Sequence, residues 1–105
     1  MKNKVNIIKD TLEDLKVKDL KVFDFEQSSP FYDYFVIATV NERQGNAAIN
    51  HIKQNLSQEE IKHIEGKGGS WVLIDCGDVI VHLFTEELRQ YYGFDKRLMD
   101  VKLVS

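Results

Sequence analysis

The pattern of apolar and polar positions predicts a β-hairpin over residues 71–84. Two apolar runs are separated by Gly77-Asp78, a dipeptide typical of a two-residue turn between antiparallel strands. Glycine in the first turn position favours type II′ geometry. Because successive side chains on a strand point to opposite faces, one face of the hairpin is wholly apolar. It carries Val72, Ile74, Cys76, Val79, Val81 and Leu83.

The opposite face of the hairpin, which we name the mixed face, combines aromatic, aliphatic and ionisable side chains. A slip of one strand by one residue would bury Asp75 among aliphatic side chains, at a cost of several kcal/mol for an unpaired charge. The register is therefore expected to pair Leu73 with His82, and Val72 with Leu83. An ionisable pair beside tryptophan on a sheet face suggests a surface that meets a partner. The mixed face comprises Trp71, Leu73, Asp75, Ile80, His82 and Phe84.

The periodicity before the hairpin predicts a helix over 3–16, strands over 22–25 and 33–40, and a second helix. Asn41 is expected to cap that helix, with Gln44 in the capping-box position.

A short strand is predicted around Ile61 and Ile64, before the hairpin. After it, Thr85 should cap a helix over 86–92 that Gly93 ends, and residues 100–104 could add an edge strand. The chain is therefore expected to be a single α/β domain, residues 1–105, a compact sandwich with a mixed sheet of about five strands flanked by helices.

Composition narrows the function classes. The chain has 105 residues, 43% hydrophobic and 30% charged, and a formal net charge of -3, which argues against a general nucleic-acid binder. No apolar run is long enough to cross a bilayer, and residues 1–8 lack the features of a signal peptide, so a cytoplasmic location is expected. The single cysteine, Cys76, excludes an internal disulfide and is predicted to be a buried thiol.

Catalysis is not expected. Gly69-Ser70 followed by Asp75 and Asp78 superficially resembles a nucleotidyltransferase motif, but one aspartate projects from a strand and the other sits in the turn. His82 could act as a general base beside Asp75, yet no nucleophile is aligned with them, so a satisfied structural histidine is favoured. The sequence therefore predicts no catalytic residue, metal site or cofactor.

Several motifs, in order, resemble the ribosomal silencing factors, also called the Iojap-like family, over about residues 5–100. The hairpin portion of the match is the most specific. The motifs are Asp33-Tyr34-Phe35-Val36-Ile37-Ala38-Thr39, Glu42-Arg43-Gln44, Glu65-Gly66, Trp71-x-Leu73-Ile74-Asp75-x-Gly77-Asp78-Val79-x-Val81-His82-x-Phe84 and Arg89-x-x-Tyr92.

This resemblance implies an α/β fold related to nucleotidyltransferases without their catalytic site. It also implies a translational repressor that binds the large ribosomal subunit through ribosomal protein fourteen and sterically blocks joining of the small subunit. Homodimers occur in the family, and neither sequence-specific nucleic-acid binding nor membrane binding is implied. Trp71 is expected to anchor the partner, with polar or rim contacts from the other residues. The expected partner-binding set is Trp71, Leu73, Asp75, Asp78, His82, Arg89 and Tyr92.

The sequence departs from the family pattern in two places. Val40 stands where the family usually has glycine. After Tyr92 the family usually continues Leu-Glu-x-Leu-Trp, whereas here Gly93 is followed by residues 94–98, Phe-Asp-Lys-Arg-Leu. Two alternative functions stay open at this point: a protein-interaction module with a non-ribosomal partner, and a nucleotidyltransferase-like enzyme.

Overall fold

A computed structural model describes residues 3–104. The predicted domain, residues 1–105, also includes Met1, Lys2 and Ser105, which lie outside the described residues. Its helices and strands are α1 (Lys4–Asp14), β1 (Lys18–Asp24), β2 (Tyr34–Thr39), α2 (Glu42–Asn55), a 3-10 turn (Gln58–Glu60), β3 (His63–Glu65), β4 (Trp71–Asp75), β5 (Val79–Phe84), α3 (Glu86–Tyr92), α4 (Phe94–Arg97) and β6 (Lys102–Leu103). The strands form a six-stranded mixed sheet with the order β3-β4-β5-β2-β1-β6, in which β2 and β5 are parallel. The predicted α/β sandwich is confirmed.

The hairpin register is confirmed. Leu73 pairs with His82 and Val72 with Leu83 along the antiparallel β4–β5 ladder. Gly77 has φ +83°, as the first central residue of a type II′ turn requires. Every assignment of a side chain to one face of the hairpin therefore holds.

The apolar face of the sheet packs against α1 and α2. Ile8 and Leu12 of α1 and Ile49 of α2 are fully buried there. Cys76 is also fully buried, and this burial raises the pKa of its thiol to about 11. The predicted buried cysteine is thus confirmed. Full burial of each large aliphatic side chain contributes roughly 1.5–3 kcal/mol, so this layer supplies much of the folding free energy.

Local capping sets the helix ends as the sequence predicts. The Asn41 side chain accepts from the Gln44 backbone N–H at 2.8 Å, and the Gln44 side chain accepts from the Asn41 N–H at 3.1 Å. Thr85 caps α3, and Gly93, in the left-handed conformation with φ +57°, ends it. The edge strand predicted in 100–104 is β6, which pairs with β1.

The clearest differences from the predicted boundaries are at the end of α1 and at the start of β1. α1 ends at Asp14 rather than at residue 16. Lys16 has φ +56°, in the left-handed region, and so cannot continue the helix. β1 begins at Lys18 rather than at residue 22, and a bulge interrupts its pairing with β2 between Lys18 and Lys21. Pairing with β2 extends this strand through residues whose own pattern does not alternate.

The second face of the sheet, which includes the mixed face, is covered only in part. The short helices α3 and α4 close over Phe23, Ile37 and Phe84 and bring Phe94 and Leu98 onto them. α4 was not predicted from the sequence. No helix within residues 3–104 is long and apolar enough to cross a membrane.

Candidate partner-binding face

Trp71 is the centre of an aromatic cluster at the start of β4. Its ring centroid lies 5.2 Å from that of Tyr92, 5.6 Å from Phe84 and 5.9 Å from Phe94. Its indole Nε1–H donates to Nδ1 of His82 at 3.3 Å. Trp71 is nonetheless only half-buried, and it lines a surface hollow.

His82 lies beneath Trp71 rather than at the surface, with an exposed fraction of 6%. Its ring centroid is 4.7 Å from that of Phe35 and 4.8 Å from that of Phe94. Burial lowers the pKa of His82 to about 4, so the imidazole is neutral near pH 7. Because Nδ1 accepts from Trp71, the proton sits on Nε2, which has no hydrogen-bond partner among the described residues.

A shallow apolar hollow of about 300 Å³ lies beside Trp71, lined also by Glu65, Gly66 and Leu73. Gly66 has φ +78°, and a Cβ at this position would come within 1.8 Å of the Trp71 carbonyl oxygen. Only glycine therefore lets the loop after β3 lie this close to β4. Leu73, which also lines the hollow, is half-buried.

Arg89 and Tyr92 belong to the same helix but have different surroundings. Tyr92 is 40% exposed and packs on Trp71, as a partner contact requires. Arg89 is only 7% exposed, and its guanidinium hydrogen-bonds with Asp19, Thr39 and Asp95. Arg89 and the similarly buried His82 therefore do not lie at an exposed rim, and the expectation that they make polar or rim contacts with the partner stays a prediction.

The two aspartates of the expected set lie at the turn end of the hairpin, away from Trp71. Asp75 Oδ1 accepts from the Gly77 N–H at 2.8 Å, which closes the hairpin end. Asp78 Oδ1 lies 2.8 Å from Lys4 Nζ of α1. At 3.3 Å per residue, Asp78 is roughly 20 Å along β5 from the strand end that faces Trp71. Across residues 3–104 no group of three or more His, Cys, Asp or Glu side chains is placed to hold a metal ion.

Sequence reasoning missed two aromatic residues of the cluster, Phe35 and Phe94. Phe35 pairs with Ile80 on the parallel β2–β5 ladder and therefore shares the mixed face. The pairing of β2 with β5 was not predicted, so the sequence offered no way to place it. Phe94 directly follows Gly93, the residue predicted to end α3. An aromatic residue immediately after a helix end was the available signal that the chain turns back onto the sheet.

The fold and this surface define an α/β protein in which two long helices close one face of the sheet and an aromatic cluster stays half open on the other. The family described as "Ribosomal silencing factor during starvation" matches residues 1–100. Accordingly, the chain belongs to the ribosomal silencing factor family, as its motifs predicted.

Individual relatives agree with this assignment. The ribosomal silencing factors of Halalkalibacterium halodurans and Bacillus subtilis are each 35% identical to the chain; the alignments cover 89% and 87% of this chain and 83% and 80% of theirs. The chloroplastic protein Iojap of Arabidopsis thaliana is 31% identical, over 78% of this chain and 36% of its own length. A crystal structure of a Chromobacterium violaceum protein, 31% identical, superimposes with a TM-score of 0.80 and covers 89% of this chain and 81% of that one.

Proposed function

We propose that this protein represses translation by binding the large ribosomal subunit through ribosomal protein fourteen, which blocks joining of the small subunit. Family membership supports ribosome-associated regulation of translation. The observation that supports a direct protein contact is the incompletely buried Trp71, which packs on Tyr92 and is hydrogen-bonded to His82. The site of action would be the cytoplasm, where translating ribosomes are found.

The mixed face has the features of a protein-binding surface. Tryptophan and tyrosine are the residues most enriched among binding hot spots, and Trp71, Tyr91 and Tyr92 lie side by side here. Tyr91 is 79% exposed. Because Trp71 is already fixed by its hydrogen bond to His82, binding would not need to order it. A preorganised apolar anchor with exposed aromatic neighbours is suited to a flat protein partner.

The proposed action is steric and needs no catalytic group. Asp75 and Asp78, the residues of the nucleotidyltransferase-like motif, each contact a different group of their own chain: the Gly77 N–H for Asp75 and Lys4 Nζ for Asp78. Loss of a magnesium-dependent nucleotidyl transfer on changing either aspartate to asparagine would contradict this part of the proposal.

Sucrose-gradient co-sedimentation with separated ribosomal subunits tests the proposal. The wild-type protein should migrate with free large subunits and reduce the amount of joined ribosomes. Trp71→Ala should weaken binding by at least about 2 kcal/mol, or roughly 30-fold. Leu103→Ala is a matched control, because Leu103 is 54% exposed on β6 at the opposite sheet edge from β3.

Two outcomes would contradict the proposal. Wild-type protein that fails to migrate with large subunits would remove the ribosomal partner. A folded Trp71→Ala variant that binds as tightly as wild type would remove Trp71 from the site. Melting temperatures must accompany each affinity, because Trp71 also packs on Phe84. Sedimentation equilibrium of the purified protein determines separately whether it forms the homodimer that occurs in the family.

A further inference from the structure

We propose that Arg89 is a positioning residue for partner binding: it fixes the corner between α3 and α4 and so sets Tyr92 and Phe94 against Trp71. The inference rests on the proposed function for the identity of the partner. It assigns Arg89 a role beneath the surface, in place of the direct contact that its position in the sequence suggested.

The guanidinium of Arg89 connects three other elements to α3. Nη1 donates to the Asp19 carbonyl of β1 at 2.8 Å and to Thr39 Oγ1 of β2 at 2.9 Å. Nε and Nη2 donate to the two carboxylate oxygens of Asp95 in α4, at 3.2 and 3.3 Å. A planar fork that reaches a carboxylate with two nitrogens fixes orientation as well as distance. Arg89 therefore ties both short helices to the central strands.

The corner depends on such an anchor because its helices are short. α3 has seven residues and α4 has four, far below the length at which a helix is stable alone. Asp95 directly follows Phe94, whose ring lies 4.8 Å from His82 and 5.9 Å from Trp71. Holding Asp95 therefore holds Phe94, and through α3 it also holds Tyr92 on Trp71.

The backbone that accepts a hydrogen bond from Arg89 has an unusual conformation at Asp19. Asp19 adopts φ +49° within the irregular start of β1, a conformation that non-glycine residues rarely take. Its carbonyl accepts from Arg89 Nη1. The Arg89 Cζ also lies 5.9 Å from the centroid of the Phe84 ring. Lysine is a single point charge without the planar fork, so it cannot reproduce these contacts together.

Arg89→Lys and Asp95→Asn test the proposal, with the fluorescence of Trp71 as the direct readout. Trp71 is the only tryptophan of the chain, so the tryptophan emission reports its surroundings, which include Tyr92 and Phe94 of the corner. Both variants should shift the emission to longer wavelength and weaken large-subunit binding at least tenfold. Lys21→Ala is the matched control: it removes the second cation on Asp95, at 3.2 Å, and leaves the fork in place. It should change neither signal.

Ile49→Val supplies a control for stability, because Ile49 is buried in the opposite core layer. It should lower the melting temperature and leave both Trp71 emission and affinity unchanged.

The measurements separate positioning from other roles of Arg89. Unchanged emission in Arg89→Lys with weakened binding would overturn the proposal, since Arg89 would then contact the partner directly. Unchanged emission and affinity in both variants would also overturn it, as would an equal loss of affinity in Ile49→Val. If the wild-type protein does not bind large subunits, the proposed function fails, while the emission of the variants still decides whether Arg89 sets the corner.

Discussion

Lowering the pH from 7 to 5 should destabilise this protein through His82. The imidazole is 6% exposed, and aromatic rings surround it on β2, β4, β5 and α4. Burial lowers its pKa from 6.5 to about 4. Protonation would place a charge in this apolar setting, and it would also turn Nδ1, the acceptor of the Trp71 indole N–H, into a donor.

The size of the effect follows from the two pKa values. Below pH 6.5 the unfolded chain binds a proton at His82 that the folded chain does not take up until about pH 4. The contribution to stability is therefore complete above pH 6.5 and is lost as the pH falls towards 4. Linkage gives a loss of about 2 kcal/mol between pH 7 and pH 5, rising to about 3 kcal/mol at pH 4.

Urea unfolding at pH 7 and pH 5, with wild type and His82→Leu, measures this loss. Leucine is close to histidine in size and does not titrate, while His51, His63 and the carboxylates are common to both proteins. The free energy of unfolding of wild type should fall by about 2 kcal/mol more than that of His82→Leu. Equal losses in the two proteins would refute the reasoning that a buried neutral imidazole links stability to pH.

Two further predictions concern the glycine loop after β3 and the N-terminal cap of α2. Gly66→Ala should lower the free energy of unfolding by at least about 2 kcal/mol, because the new Cβ would lie 1.8 Å from the Trp71 carbonyl oxygen. Gly68→Ala is the control: Gly68 also has a positive φ, +81°, but a Cβ there has open space, so the loss should be about 1 kcal/mol. Equal destabilisation in thermal unfolding would show that the loop relaxes away from β4. Asn41→Ala should cost about 1 kcal/mol by removing the cap on the Gln44 N–H, and a variant with unchanged urea midpoint would show that this cap does not stabilise α2.

The parts of the fold that were predicted correctly carry their signals locally. The hairpin is encoded by two alternating runs and a Gly77-Asp78 turn, and its register follows from keeping Asp75 off the apolar face. The starts of α2 and α3 are set by the side chains of their N-terminal caps, Asn41 and Thr85, which bond to groups within three residues. Such features need no knowledge of the rest of the chain.

The parts that were missed depend on distant segments. Arg89 is buried because α4 folds back and offers Asp95, and because β1 turns the Asp19 carbonyl towards it. Neither event leaves a pattern around Arg89 itself, which looks like an exposed arginine on a short helix. Phe35 joins the mixed face only through the parallel pairing of β2 with β5, which side-chain alternation along one strand cannot reveal.

The two faces of the sheet are closed by different means, and this difference bears on function. On the apolar face, α1 and α2, with 11 and 14 residues, bury a continuous aliphatic layer. On the other face, two short helices leave Trp71 incompletely buried. They are held by the contacts of Arg89 and by the packing of Phe94 and Leu98 against Phe23 and Phe84. Folding stability therefore resides mainly in the first layer, while the shape of the candidate binding surface depends on the second. Substitutions at the corner should alter recognition without unfolding the protein, so the two contributions can be separated by experiment.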